Sequence, residues 1–302
     1  MNEAPLIAGI EAGGTKMVLG IGTAEGGSLV TASVPTHEPE ATMAEIAAFF
    51  DKETKGREIA AVGIASFGPL DLDPRSPTHG YILPASKVAW SNFDMLGRIR
   101  SILGGVPGAI DTDVNAAALA EARMGAGEGT GDLAYVTIGT GIGIGFVING
   151  EMVHGASHPE AGHVRPRRHP AHGDFKGVCP FHHDCFEGLA SGPAIIAAWG
   201  ASLADLPHDH IAWEVEADYC AQIAAMLILV TSPVKIVFGG GVMKQEALFG
   251  PLRDRTAALL GDYGRDTDRA SLENRIVAPG CREAPGLIGA YMIGERAKSR
   301  SR

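Results

Sequence analysis

Between Glu160 and Glu187 the chain concentrates side chains able to hold a metal. Cys179, His182 and Cys185 follow at three-residue intervals within Cys-Pro-Phe-His-His-Asp-Cys. Thiolate and imidazole are the donors tetrahedral Zn²⁺ takes, and four such ligands close a structural site. His163 completes a set of four, although spacing alone does not separate it from His169, His172 or His183. The two cysteines could instead be small core residues or a disulfide, and some of the many histidines here must be incidental. Glu160 and Glu187 flank the set. Carboxylates accept hydrogen bonds and hydroxyl-rich ligands such as sugars donate them, so the stretch reads as a metal-pinned substrate loop.

Asp113 is the second chemical candidate. It follows the short strand Ala109–Asp111 and precedes the helical pattern Ala116–Met124. Reactive polar groups gather at such strand ends in α/β folds, and a carboxylate there can take a proton from a hydroxyl. The plainer reading is a helix N-cap, a position Asp favours. Three glycine clusters follow strand-like runs: Gly13-Gly14-Thr15-Lys16, Gly139-Thr140-Gly141 within a run to Gly145, and Gly239-Gly240-Gly241. Paired glycines let backbone approach a ligand closely. None is a Walker loop or a G-x-G-x-x-G fingerprint, and each alone also fits an ordinary turn.

These groups need elements to carry them. Strand, glycine turn, strand describes Leu6–Ile21 and again Leu133–Ile148, an echo that suggests a duplicated fold with a ligand between its halves. Gly27–Ser33 and Ile59–Ser66 are further strands, Thr42–Phe50 and Asn92–Leu103 helices, and Asp71–Trp90 a long loop. Later come a helix Ala194–Ala201, a core helix Trp213–Val230, a strand Val234–Phe238, a helix Phe249–Leu260, a strand Arg275–Ala278 and a terminal helix from Pro285.

The 302 residues suit two domains, and 45% hydrophobic content supplies a core. The net charge of −10 opposes broad nucleic-acid contact, which needs cations to neutralise phosphates. The basic run Arg296–Arg302 reads as a frayed, solvated helix end. Four cysteines do not make a disulfide framework. No run is long enough to span a membrane and no leader pattern opens the chain, so the expected address is the cytoplasm.

Taken together and in order, Glu11-Ala-Gly-Gly-Thr-Lys16, Thr112-Asp113-Val114-Asn115, Ile138–Gly145, Glu160-Ala-Gly-His163, Cys179–Glu187 and Gly239–Gly241 resemble the ROK family of sugar kinases and sugar-responsive repressors. Glu11 in place of the usual Asp, and the CPxHxxC form of the metal loop, are similar to its bacterial fructokinase branch. Many family members carry Cys-x-Cys where His182 stands, and many family glucokinases carry Asn where Thr112 stands. Both differences point the same way.

The resemblance implies an actin-like, ribonuclease-H-like α/β fold of two domains with an ATP cleft between them. The expected N-terminal domain is 1–115, completed by the terminal helix 285–302; the expected C-terminal domain is 116–284, with the zinc loop 160–187. It implies transfer of the ATP γ-phosphate to a hexose, fructose first, giving fructose 6-phosphate, with glucose, mannose or N-acetylmannosamine as alternatives. Asp113 becomes the base, Glu160, Glu187 and Asn115 sugar ligands, and His163, Cys179, His182 and Cys185 the ligands of a structural Zn²⁺. Gly13, Gly14, Thr15, Lys16, Gly139, Thr140, Gly141, Pro193, Gly239, Gly240 and Gly241 become ATP contacts, with Mg²⁺ accompanying the nucleotide. A homodimer is implied as well. A repressor would carry a helix-turn-helix before the first hairpin, and only ten residues precede Glu11. A zinc-stabilised sugar-binding module would explain the cysteines but not the paired glycine hairpins and Asp113.

Overall fold

A computed structural model describes residues 5–84, 87–261 and 263–300. Met1–Ala4, Ala85 and Ser86 of the long loop, and Ser301 and Arg302 of the expected terminal helix lie outside them. The chain forms two units. One comprises Met1–Ala120, Glu151–Pro159 and Cys281–Arg302, the other Glu121–Gly150 and Glu160–Gly280. The boundary thus falls at Ala120/Glu121, later than Asn115/Ala116, and Glu151–Pro159 also joins the first unit.

In the first unit the strands are β1 (Leu6–Ala12), β2 (Lys16–Thr23), β3 (Gly27–Pro35), β4 (Ile59–Ser66), a short pair β5 (Tyr81–Ile82) and β6 (Phe93–Asp94), and β7 (Gly108–Thr112). The main sheet runs β3-β2-β1-β4-β7. β1 and β2 are antiparallel, as a short glycine turn allows, whereas β4 and β7 run parallel to β1. Helix α1 (Pro39–Glu53) supplies that crossover; Met43, Ile46 and Phe50 lie on one face and are buried. Helix α2 (Met95–Ile102) makes the next crossover, its N-cap Asp94 accepting from the Gly97 amide at 2.8 Å. Asn92 and Phe93, expected to be helical, instead form a positive-φ turn and the start of β6.

The parallel register sets up the chemistry. Ala12 pairs with Ser66, and Ser66 with Thr112. The residues just beyond these ends, Gly13, Phe67 and Asp113, therefore leave the sheet along one edge. Helix α3 (Asp113–Met124) begins at Asp113 itself, three residues earlier than its apolar pattern suggests.

The second unit repeats the motif. β8 (Leu133–Ile138) and β9 (Ile142–Ile148) form an antiparallel hairpin whose tip is Gly139–Gly141. Gly143 and Gly145, expected in the turn, lie inside β9. A short strand, β10 (Glu151–Met152), belongs to the first unit. After a long irregular stretch come α4 (Phe186–Ala190), α5 (Gly192–Trp199) and α6 (Ile211–Val230), the last buried around most of its circumference. β11 (Lys235–Gly239) pairs parallel with β8. Then α7 (Phe249–Leu260) and α8 (Arg269–Arg275) lead to β12 (Ile276–Val277). Among the second unit's own strands the order is β9-β8-β11-β12.

Helix α9 (Pro285–Arg300) packs on the first unit's sheet. Leu287, Ile288 and Tyr291 are buried with Ile7 and Ala61, and Ala290 and Ile293 with Ala65 and Ala116. The approach is close: a methyl group at Gly63 would overlap the Ala290 carbonyl and lie 2.5 Å from the Gly294 amide nitrogen. Arg296, expected on a frayed end, pairs with Glu151 at 2.8 Å. Gly63→Ala is expected to cost about 1–3 kcal/mol, because backbone on both sides must move apart. A chemical denaturation midpoint equal to the wild type's would show that α9 can retreat without loss.

Candidate active site

Each glycine turn is built for close backbone approach. In the first unit the Gly13 amide donates to the Lys16 carbonyl at 3.0 Å, and the Thr36 hydroxyl caps the Gly13 carbonyl at 2.8 Å. A side chain at Gly13 would meet the Lys16 carbonyl at 2.7 Å. Gly14 is half-buried, while Thr15 and Lys16 project into solvent. The Glu11 carboxyl, raised by burial and partly restored by Lys16, packs against Gly286 at the start of α9.

Asp113 follows the sheet edge. The Thr112 hydroxyl accepts from the Asn115 amide nitrogen at 3.2 Å, so Thr112 takes the capping place that composition offered to Asp113. Asp113 is half-buried in the first turn of α3, its Oδ1 accepting from the Val114 amide at 2.9 Å. Asn115 is the third polar residue of this turn. It is 1% exposed, and its side-chain amide donates to Asp111 at 2.9 Å and towards the Val153 carbonyl at 3.5 Å. A buried amide so engaged holds the segment together.

Two histidines that look incidental in the sequence are structural here. His158 is buried, and its Nε2 accepts from the Leu70 amide at 2.9 Å, fixing the loop after Phe67. An accepting ring nitrogen must be unprotonated, in keeping with a ring that burial holds below the usual histidine range. His154 donates to Asp111, a buried carboxylate at the end of β7. No periodicity marks these residues; their signal is only that polar side chains flank a strand end.

In the second unit the Gly139 amide donates to the Gly141 carbonyl at 2.9 Å, and the Gly192 amide to the Gly139 carbonyl at 2.8 Å. This brings the start of α5, with exposed Pro193 behind Gly192, to the turn that holds exposed Thr140. β11 ends beside the same hairpin: Gly239 pairs with Thr137, and Gly240, at φ 89°, lies where any side chain would strike the Ile138 backbone. Gly241 faces open space.

The four metal-type residues converge. One ligand atom from each of His163, Cys179, His182 and Cys185 lies within 4.8 Å of every other. The Cys179 sulfur is 3.7 Å from Nδ1 of both His163 and His182, and the Cys185 sulfur 3.5 Å from His163 Nδ1. A tetrahedral zinc with ordinary Zn–S and Zn–N bonds would set sulfur-to-nitrogen edges of about 3.6 Å. Burial pushes the Cys185 thiol up to about 12 and lowers the His163 ring. A metal bound here would have to displace the thiol proton of Cys185. The other histidines are engaged elsewhere. His172 hydrogen-bonds Tyr219 at 2.8 Å and stacks on Trp199, His169 accepts from the Ala171 amide, and His183 sits at φ 55° in the loop's tight turn.

Both flanking carboxylates sit on this loop. Glu187 accepts from the Ile142 amide at 3.2 Å and touches Gly141, joining the loop to the glycine hairpin. Glu160 lies 3.9 Å from His163 Nε2. Desolvation first, and the Glu187 charge second, push the Glu160 carboxyl up to about 7.

A family model described as ROK family matches residues 7–297. The chain belongs to the ROK family. It is 41% identical over 303 residues to a fructokinase of Zymomonas mobilis, with 99% of each chain covered. It is 40% identical over 298 residues to a fructokinase of Streptococcus mutans, covering 98% of this chain and 99% of that one. A ROK hexokinase structure from Thermus thermophilus matches with TM-score 0.78 at 24% identity, covering 98% and 99%. A ROK family glucokinase from Streptomyces griseus, solved in complex with glucose and AMPPNP, matches with TM-score 0.74 at 25% identity, covering 96% and 99%. The fold is the actin-like, ribonuclease-H-like α/β fold of ROK proteins, and no helix among the described residues is long and apolar enough to cross a membrane.

In this ROK chain the loop after Phe67 hangs on His158. His158→Ala leaves the Leu70 amide without its acceptor, at an expected cost of about 1–3 kcal/mol. Denaturant unfolding checks this; stability unchanged within error would mean water replaces the ring.

Proposed function

We propose that the chain is an ATP-dependent fructokinase that transfers the γ-phosphate of ATP to fructose, giving fructose 6-phosphate. The observation that carries the reading is the register of the first sheet, in which the Gly13–Lys16 turn after β1 and Asp113 after β7 leave the sheet at one edge, on either side of β4. The full-length similarity to two fructokinases supports fructose as the acceptor.

Phosphoryl transfer asks a protein mainly to position reactants and offset charge. Asp113 accepts the proton of the attacking hydroxyl as its oxygen bonds to phosphorus. The backbone amides of Gly13 and Gly14, with the Thr15 hydroxyl and the Lys16 ammonium, bind phosphate oxygens, and the Gly139–Gly141 turn offers its own backbone amides to phosphate. Gly239–Gly241 and Pro193 border the nucleoside. Mg²⁺, arriving with ATP, offsets phosphate charge. Glu160 and Glu187 accept hydrogen bonds from sugar hydroxyls.

The four-residue cluster fits a structural Zn²⁺ held by His163, Cys179, His182 and Cys185. Its function is to fix the loop that carries the two glutamates.

ADP release with Mg-ATP, across fructose, glucose, mannose and N-acetylmannosamine, tests the reaction. Fructose-dependent turnover is expected, with Asp113→Asn lowering kcat by at least about 10²-fold. Turnover on another sugar alone would move the acceptor, and none on any sugar would end the kinase reading. Zinc is tested separately. Metal analysis is expected to find one zinc per chain, and its chelation should weaken fructose binding more than binding of a non-hydrolysable ATP analogue. Unchanged sugar affinity in metal-stripped protein would refute the loop-fixing role.

A further inference from the structure

Two residues before Asp113, the Asp111 carboxylate is 3% exposed at the end of β7. Its Oδ1 accepts from the Thr112 amide at 2.8 Å and from the Asn115 side-chain amide at 2.9 Å. Its Oδ2 accepts from His154 Nε2 at 2.8 Å. The first two bonds reach one residue before Asp113 and two residues after it, so the orientation of this one carboxylate fixes the backbone segment that carries Asp113. The Thr112 and Asn115 donors are neutral amides. A buried carboxylate needs more than neutral donors to remain charged at low cost, and His154 is the ionisable donor in contact with it.

We propose that His154 is a positioning residue for phosphoryl transfer, acting through Asp111 to hold the first turn of α3 and with it the Asp113 carboxylate. This rests on reading Asp113 as the base. His154 comes from the segment after β10, which the first unit contributes far along the chain from β7. It therefore clamps the 111–115 turn from outside rather than by local hydrogen bonding.

The ring also lines a cavity of about 380 Å³ in the first unit and its side chain is 36% exposed, so its proton exchanges with solvent. The groups facing that cavity are Asp111 from β7, His79 from the loop before β5, Glu151 from β10 and Arg296 from α9, the last two paired with each other. Asn115 of α3 shares Asp111, and His158 stands on the same segment as His154. The bond to Asp111 raises the His154 pKa above its ordinary value, against the opposing effect of burial. A raised value means the charged pair is complete at lower pH and is lost as pH rises through the folded pKa.

The test compares His154→Ala, His154→Gln, Asp113→Asn and the wild type in steady-state fructose phosphorylation across pH. A glutamine amide can replace the Nε2–H donor but cannot titrate. His154→Ala is expected to lower kcat about 10- to 100-fold, the size of loss that a small misplacement of a reacting group produces, with KM for fructose and ATP within about twofold. His154→Gln keeps only a neutral donor, so it should hold, at every pH, the reduced kcat that the wild type reaches on the alkaline side, above that of His154→Ala, with no alkaline decline of its own. A wild-type kcat in His154→Ala, or a loss confined to KM, would overturn the proposal. So would an alkaline decline persisting unchanged in His154→Gln, the measurement that decides should the alanine variant not fold. Turnover surviving Asp113→Asn would instead remove the base assignment and this inference with it, whereas an inactive Asp113→Asn beside an unaffected His154→Ala would remove the inference alone.

Discussion

A helix can lie directly against a sheet only where neither surface carries side chains in the way, and the first unit depends on such a contact. Gly63 on β4 lets α9 come to backbone distance at Ala290 and Gly294, and Gly289 lets the same helix rest on the backbone of α3 at Ala116. Close packing is unforgiving of an added methyl group. With α9 seated, β4 and α3 hold their positions, and Asp113 stands three residues before Ala116. The placement of Asp113 is thus set by missing side chains elsewhere. Tyr291, buried one turn along α9 with its hydroxyl 3.0 Å from the Ser28 oxygen, ties the outer strands to the same helix.

The second unit solves a different problem. From Glu160 to Cys185 the chain has no regular structure beyond two short 3₁₀ turns. A stretch of that length has too few backbone ladder bonds to hold itself in one shape. What holds it is the convergence of two sulfurs and two ring nitrogens, together with the contact of Glu187 on the Gly139–Gly141 hairpin. A soft donor set that holds a metal cross-links a loop without oxidation. The supporting bonds are short-range: the His183 amide donates to the Cys179 carbonyl at 3.0 Å, and the Gly188 amide approaches the Cys185 sulfur at 3.4 Å.

Much of this was legible in the sequence, and the parts that were not share a cause. Alternating and continuous apolar runs gave the strands, and Met43, Ile46 and Phe50 the first helix, because burial imposes a period on composition. Glycine pairs marked the turns, yet Gly143 and Gly145 belong to β9, since glycine is equally at home in a strand that others approach. The spacing of Cys179, His182 and Cys185 was visible, whereas the choice of His163 over His169 and His172 depends on which ring points inward. Asp111, His154 and His158 left no local trace. Their partners lie 43 residues apart in one pair and 88 in the other, and a hydrogen bond across that distance follows no periodicity. Asn115 was visible, but a polar residue at a strand end can face a ligand or serve the strand end, and its spacing does not separate the two.

Asp111 and Asp113 show how two like residues in one turn divide their tasks. Asp111 has its oxygens committed to three donors, and so is suited to hold its neighbours. Asp113 is half-buried in the first turn of a helix, with one oxygen accepting from the next amide. In transfer through a loose transition state the attacking oxygen gains acidity only as its bond to phosphorus forms, and the protein's task is to receive the proton late. On the proposed reading, a carboxylate aimed by its neighbours meets that demand.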